Sequence, residues 1–207
     1  MRKYIAWSFA VVSLLFSGIV FAAATVDEVR IEWEAIAVAP AGEKEERLEK
    51  LAVATEALAE ANANSAEAHT WQGIVLAGLA REQGKLAALR SVKKARTALE
   101  RAIEIDPQGN NASAYVTLGA LYARVPGRPL GFGNAKTAEE MFQKALSIRS
   151  TGPDVYAYYA EFLEDKKRYD EAKQYAEKAA AATPREGRTN SDNVLKQNAQ
   201  QLLSSLN

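Results

Sequence analysis

A single imidazole, at His69, is all that the chain offers for acid–base work near neutral pH. It falls within a helical framework, where it reads as a packed or half-exposed residue. No cysteine is present, which removes disulfides, thiol catalysis and cysteine-ligated zinc. Glu161, Glu164 and Asp165 gather on one stretch, which reads as a solvated acidic face. Asp165, Asp170 and Glu171 lack the loop spacing that calcium requires. The run RVPGRPLGFGN, residues 124–134, precedes Lys136-Thr137 and invites comparison with a phosphate-binding loop. Such a loop needs Gly-Lys-Ser/Thr contiguous after a strand, whereas here Asn134-Ala135 intervene and a helix precedes. A dinucleotide fingerprint is likewise absent. These residues predict a non-enzymatic protein with no cofactor and no metal, whose work is recognition.

The elements that would position a recognition surface are helices. Residues 154–184 read as two short helices folded back on one another. Val155, Tyr156, Tyr159, Phe162 and Leu163 recur at three- and four-residue steps, and Tyr169, Ala172, Tyr175, Ala176 and Ala179 do the same. Between them Asp165–Arg168 is polar and short, so the helices are antiparallel neighbours. A lone hairpin cannot cover its own apolar stripe. Upstream, Tyr115, Leu118, Gly119 and Tyr122 repeat the first helix, and Ala138, Phe142 and Ala145 repeat the second. A third copy runs from near Ala66 through Trp71, Gly73 and Leu76 to Ala95, Leu99, Ala102 and Pro107.

This order of large, small and aromatic positions resembles the tetratricopeptide (TPR) repeat. The resemblance implies an all-α fold, a right-handed α-solenoid of stacked antiparallel helix pairs with a C-terminal capping helix. The 124–134 run joined to the helix around Ala138–Ala145 is similar to TPR proteins grouped with accessory subunits of TRAP-type solute transporters, the TatT-like group. No lipobox cysteine is present, unlike lipoprotein members of that group.

Residues 1–24 read as a signal peptide: Arg2 and Lys3, an apolar run over Ile5–Phe21, then Ala22-Ala23-Ala24. Cleavage there yields an exported, periplasmic protein; an uncleaved leader would be a membrane anchor. Residues 25–64 read as two helices forming a degenerate repeat, the N-terminal cap, and residues 25–68 carry 11 acids against 4 bases. The repeats occupy 65–186. In the first of them the connection from Arg81 to Lys94 keeps helical spacing at Leu86, Leu89 and Val92, so the pair is lengthened. Lys85, Arg90, Lys93, Lys94 and Arg96 form a candidate basic patch, facing either an acidic partner or the acidic N-terminal helices. In the second, Asn134 is placed to cap the helix from Ala135. Residues 187–207 form the capping helix, with Thr189 and Asp192 spaced as a capping box. With 26 bases against 26 acids, nothing points to nucleic acid.

In TPR proteins the first helix of each repeat lines a concave groove. The resemblance implies groove positions Thr70, Ile74 and Ala77, then Val116, Ala120 and Arg124, then Ala157, Glu161 and Glu164. The basic-and-asparagine clamp for a carboxy-terminal tail is missing. The groove is expected to be apolar at its N-terminal end and acidic at its C-terminal end, suiting a segment with an apolar face and a basic flank. Three readings follow: a scaffold for another envelope protein or peptide segment, a transport accessory for a small apolar or organic-anion solute, and a homo-oligomer subunit. An enclosed apolar pocket favours the second and an open groove the first.

Overall fold

The computed structural model describes residues 24–206, so the leader expected at 1–24 lies outside the described residues except for Ala24. Nine helices and no strand occur among the described residues: α1 (Val26–Ala37), α2 (Ala41–Ala61), α3 (Ala66–Glu82), α4 (Lys85–Ile105), α5 (Ser113–Arg124), α6 (Ala135–Ile148), α7 (Pro153–Asp165), α8 (Tyr169–Ala181) and α9 (Thr189–Ser205). Local chemistry sets the ends. The hydroxyl of Thr25 accepts the Glu28 amide at 3.2 Å while the Glu28 carboxylate accepts the Thr25 amide at 2.7 Å, a capping box that starts α1. Ser65 caps α3 and Asn134 caps α6 through the Ala68 and Thr137 amides, at 3.2 and 3.0 Å. The connection at 83–84 is two residues long and leaves α3 and α4 as an extended hairpin, as the spacing predicts.

Consecutive helices pair as hairpins and the pairs stack. Close approach depends on small residues at equivalent places in the first helix of each repeat. A Cβ added at Gly73 would lie 2.3 Å from Leu99 of α4, and one at Gly119 would lie 2.9 Å from the Phe142 ring of α6. Ala160 holds the same place in the last repeat and is fully buried. Around it Tyr159 packs on Phe142 and Tyr175, with ring centroids 5.3 and 4.7 Å apart. The 125–134 loop lies flat on this stack: Phe132 meets Tyr122 edge-on at 5.3 Å, and the Arg96 guanidinium sits 5.7 Å from the Tyr122 ring and 5.1 Å from Phe132.

The last helix departs from expectation in two ways. Thr189 and Asp192 form no capping box; Asp192 is fully buried and its oxygens accept from Arg185. In addition, α9 covers α7 and α8 and also returns to α1. The inner helices α1, α3, α5, α7 and α9 therefore touch in cyclic order, and the stack closes on itself as a ring. The outer layer is α2, α4, α6 and α8.

Replacing Gly73 by alanine should destabilise the fold by about 1–3 kcal/mol through overpacking. The expected readout is a lower urea midpoint, partly restored when Leu99→Ala removes the obstructing side chain. An unchanged midpoint in the single variant would contradict the packing described.

Candidate functional site

The ring encloses two chambers that share a wall. One, about 820 Å³, is lined mainly by apolar side chains, among them Trp33 and Ile36 of α1, Leu48 of α2, Leu89 and Val92 of α4, Leu121 of α5 and Leu195 of α9. The second, about 940 Å³, is polar and carries Arg30, Arg149, Lys178, Arg185 and Arg188 against Glu67 and Glu186. Ile74, Ser113, Arg185 and Arg188 border both. Each of α3, α5, α7 and α9 meets the polar chamber close to its own N-terminus, at Glu67, Ser113, Gly152 and Arg188. Further along, at Ala77–Arg81, Val116–Arg124, Tyr158 and Val194–Asn198, the same helices line the apolar chamber. The inner helices thus run parallel, with their positive dipole ends gathered at the polar mouth.

A buried ion ladder builds the shared wall. Arg149 grips Asp154 with two bonds, of 3.0 and 2.8 Å, and also donates to the backbone of Asn111 and Thr151. Arg185 bridges Asp154 at 2.6 Å and Asp192 at 2.6 and 3.0 Å. Burial by itself would raise the Asp154 carboxyl, but the charges of Arg185 and Arg149 outweigh it and hold the group below its ordinary value. Burial likewise opposes the charge on Arg185, yet Asp154 and Asp192 carry its pKa above the usual arginine value.

Arg188 is placed differently. Gly187 adopts φ +65°, and a Cβ there would meet the Arg30 guanidinium of α1 at 1.9 Å, so glycine eases the inward turn of the chain at this point. The guanidinium of Arg188 lies 4.7 Å from the Trp71 ring centroid. Its Nε donates to the Ser191 hydroxyl at 3.3 Å, and the nearest carboxylate, Glu34, is 3.7 Å away. Burial and the charge of Arg185 push the Arg188 pKa down to about 10, and at neutral pH it remains a cation. Glu34 in turn accepts the Asn190 and Ser191 amides, the former at 2.7 Å, and so joins α1 to the start of α9. Beside the apolar chamber, the buried Trp33 Nε1 has no hydrogen-bond partner among the described residues.

Of the groove positions inferred from sequence, Ile74, Ala77, Val116, Ala120 and Arg124 line the apolar chamber. Thr70 does not; it is fully buried and its hydroxyl donates to the Ala66 carbonyl at 2.7 Å. Ala157 is buried among α7, α8 and α9 residues. Glu161 pairs with Arg124, whose guanidinium also stacks 4.9 Å from the Tyr158 ring, and neither Glu161 nor Glu164 borders a chamber. The expected acidic end is therefore replaced by a basic one, supplied by the 185–188 connection. In the basic patch, Lys85 borders the apolar chamber, Lys94 pairs with Glu56 of α2 at 3.1 Å, and Arg96 pairs with Glu100 at 2.7 Å, while Arg90 and Lys93 are exposed. Of these five, Lys94 is the one ion-paired with the acidic N-terminal helices among the described residues. His69 is half-buried, with Nε2 3.1 Å from the Ala63 carbonyl. No group of three or more metal-ligating side chains occurs among the described residues, and none of their helices is long and apolar enough to cross a membrane.

Residues 29–207 match the family described as TRAP transporter T-component. No curated protein matches the chain. Among solved structures, a thermophilic TPR protein of Thermus thermophilus is similar in fold, with a TM-score of 0.57 and 18% identity over 78% of each chain.

Changing Arg185 to methionine strands Asp154 and Asp192 and should cost about 3–5 kcal/mol, read as a lowered denaturation midpoint. Because the Asp154 pKa is depressed in the folded state, the stability it contributes is complete above the ordinary aspartate value, about 4, and is lost as pH falls through the depressed one. The melting temperature of the wild type should accordingly change little through Asp154 between pH 7 and about 5, and fall below about 4. A variant as stable as wild type, with the same acid profile, would remove the ladder from the account.

Proposed function

The chain belongs to the TRAP transporter T-component family, and from that premise we propose that it is a non-enzymatic transport accessory of the cell envelope that holds a small organic solute inside its helical ring. The observation that carries this reading is the return of α9 to α1, which encloses an apolar chamber of about 820 Å³. A peptide laid along a TPR groove needs an open side, and the closed ring removes it. The chamber volume lies in the range of small-molecule sites, and its walls are chiefly apolar with a minority of polar and charged groups, the pattern expected of such sites. Export through a cleaved leader at 1–24 belongs to the same proposal.

A second reading, docking of another envelope protein, is favoured by one feature. Leu130, 70% exposed, borders the mouth of the apolar chamber, and Leu86, 77% exposed, adjoins the lining residue Lys85. The two readings are compatible, since a solute handed between proteins needs a mouth that another protein can cover.

The neutral fluorophore N-phenyl-1-naphthylamine should bind the full chain with enhanced emission. Ala77→Phe, which places a ring in the apolar chamber from a half-buried position, should weaken that binding on the order of tenfold without lowering helicity. Equal affinity for both proteins would count against a solute in this chamber.

A further inference from the structure

The three arginines of the shared wall differ in what they have left to give. Arg149 and Arg185 spend Nε and both Nη groups on carboxylates or carbonyls within the protein. In Arg188 only Nε donates, to Ser191, and neither Nη donates to a described residue. Its side chain is 14% exposed, and the residue borders both chambers, so the idle donors lie where the chambers meet. Glu34 forms an ion pair with Nε at 3.7 Å while its oxygens accept the first amides of α9, and it leaves the two Nη groups without a hydrogen bond to a described residue. Trp71 supports the guanidinium plane from one side, which fixes its orientation at little further entropy loss.

We propose that Arg188 is the residue that selects the solute, by binding a singly charged anionic head such as a carboxylate at the junction of the chambers, with the solute's apolar body lying along the apolar chamber toward Leu130. This rests on the reading that the ring holds a solute, and it adds the chemical class and the orientation. One negative charge suffices, because the other cations around the junction are already engaged. Arg149 and Arg185 face Asp154 and Asp192, Arg30 pairs with Asp27, and Lys178 lies against the Tyr175 ring at 4.6 Å. A planar carboxylate matches the two Nη donors, a geometry lysine cannot reproduce. The gathered N-termini of α5, α7 and α9 add to the field that favours an anion and disfavours a cation.

Displacement of N-phenyl-1-naphthylamine from the full chain tests this with three ligands of equal length: decanoate, 1-decanol and decylammonium. In the wild type decanoate should compete on the order of tenfold or more better than decanol, with decylammonium weakest. Arg188→Gln should bring decanoate to the level of decanol, and Arg188→Lys should recover only part of the difference. If Arg188→Gln does not fold, the comparison of the three ligands on wild type still decides the charge preference, and Arg188→Lys the residue. Equal competition by decanoate and decanol, or equal weakening of both by the substitution, overturns the assignment while leaving a solute chamber intact. Failure of the fluorophore and of every decyl ligand to bind overturns the chamber reading and this one with it.

Discussion

A run of buried arginine–carboxylate contacts, from Arg149 through Asp154 and Arg185 to Asp192, joins the starts of α7 and α9 and the approach to α5. Next to it, Glu34 ties the first turn of α9 to α1. Without this seam the molecule is a stack of hairpins with two free ends. With it, the ends meet. Charges held out of water in this way are tolerable because nearly every donor and acceptor is matched, and the same property makes the loss of any one member expensive. The seam therefore specifies one arrangement of the inner helices over others that would bury similar apolar area, and it fixes the chamber that those helices surround.

Closure also changes what the inner surface can do. In an open solenoid the first helices of successive repeats present a groove that a chain can enter sideways. Here Val116, Ala120 and Ala77 face a space inside the ring, lined by all five inner helices and by the loop at Val125–Leu130. Small residues that would only permit tight packing in an open array instead set the width of a cavity. The two functions are not exclusive: Gly73 and Gly119 bring the outer helices close, while Ala77, one helical turn on from Gly73, and Ala120, next to Gly119, leave room inside.

What was legible in the chain was local. The hairpins, the Asn134 cap and the lengthened α3–α4 pair follow from periodicity and capping chemistry within a dozen residues. The ring was not legible, because it is the sum of small rotations between repeats, and no single repeat records that sum. The same distance hides the polar wall. Arg185 and Arg188 sit in a run, Pro184-Arg185-Glu186-Gly187-Arg188, that reads as a helix break, and their partners Asp154 and Glu34 are far off in sequence. One hint was present: Asp154 opens a helix whose next residues are strongly apolar, and Asp192 follows Arg185 by seven positions in a helix start. Taken locally, Asp192 fits a capping box, and that local explanation concealed the longer-range one. The groove's expected acidity failed for a related reason. Glu161 is neutralised by Arg124 from the preceding repeat, a contact that exists only once the repeats are stacked.

The unequal ends of the chamber follow from the direction of the chain. In a closed ring of repeats every inner helix runs the same way, so partial positive charge accumulates where they begin. Buried carboxylates are stabilised at that end, and Asp154 and Asp192 occupy it in the first turns of α7 and α9. Those carboxylates in turn make it possible to bury arginines, which reach inward from the α6–α7 and α8–α9 connections. Beside the matched acids Arg188 is paired more loosely, with Glu34 3.7 Å from its Nε and with neither Nη group hydrogen-bonded to a described residue. At the other end the inner helices finish, and Arg81, Lys85 and Arg124 stand there beside Leu130 and apolar walls. A cavity with its buried ion ladder at the end where the helices begin is thus a consequence of parallel helices closed in a ring, before any particular solute is considered.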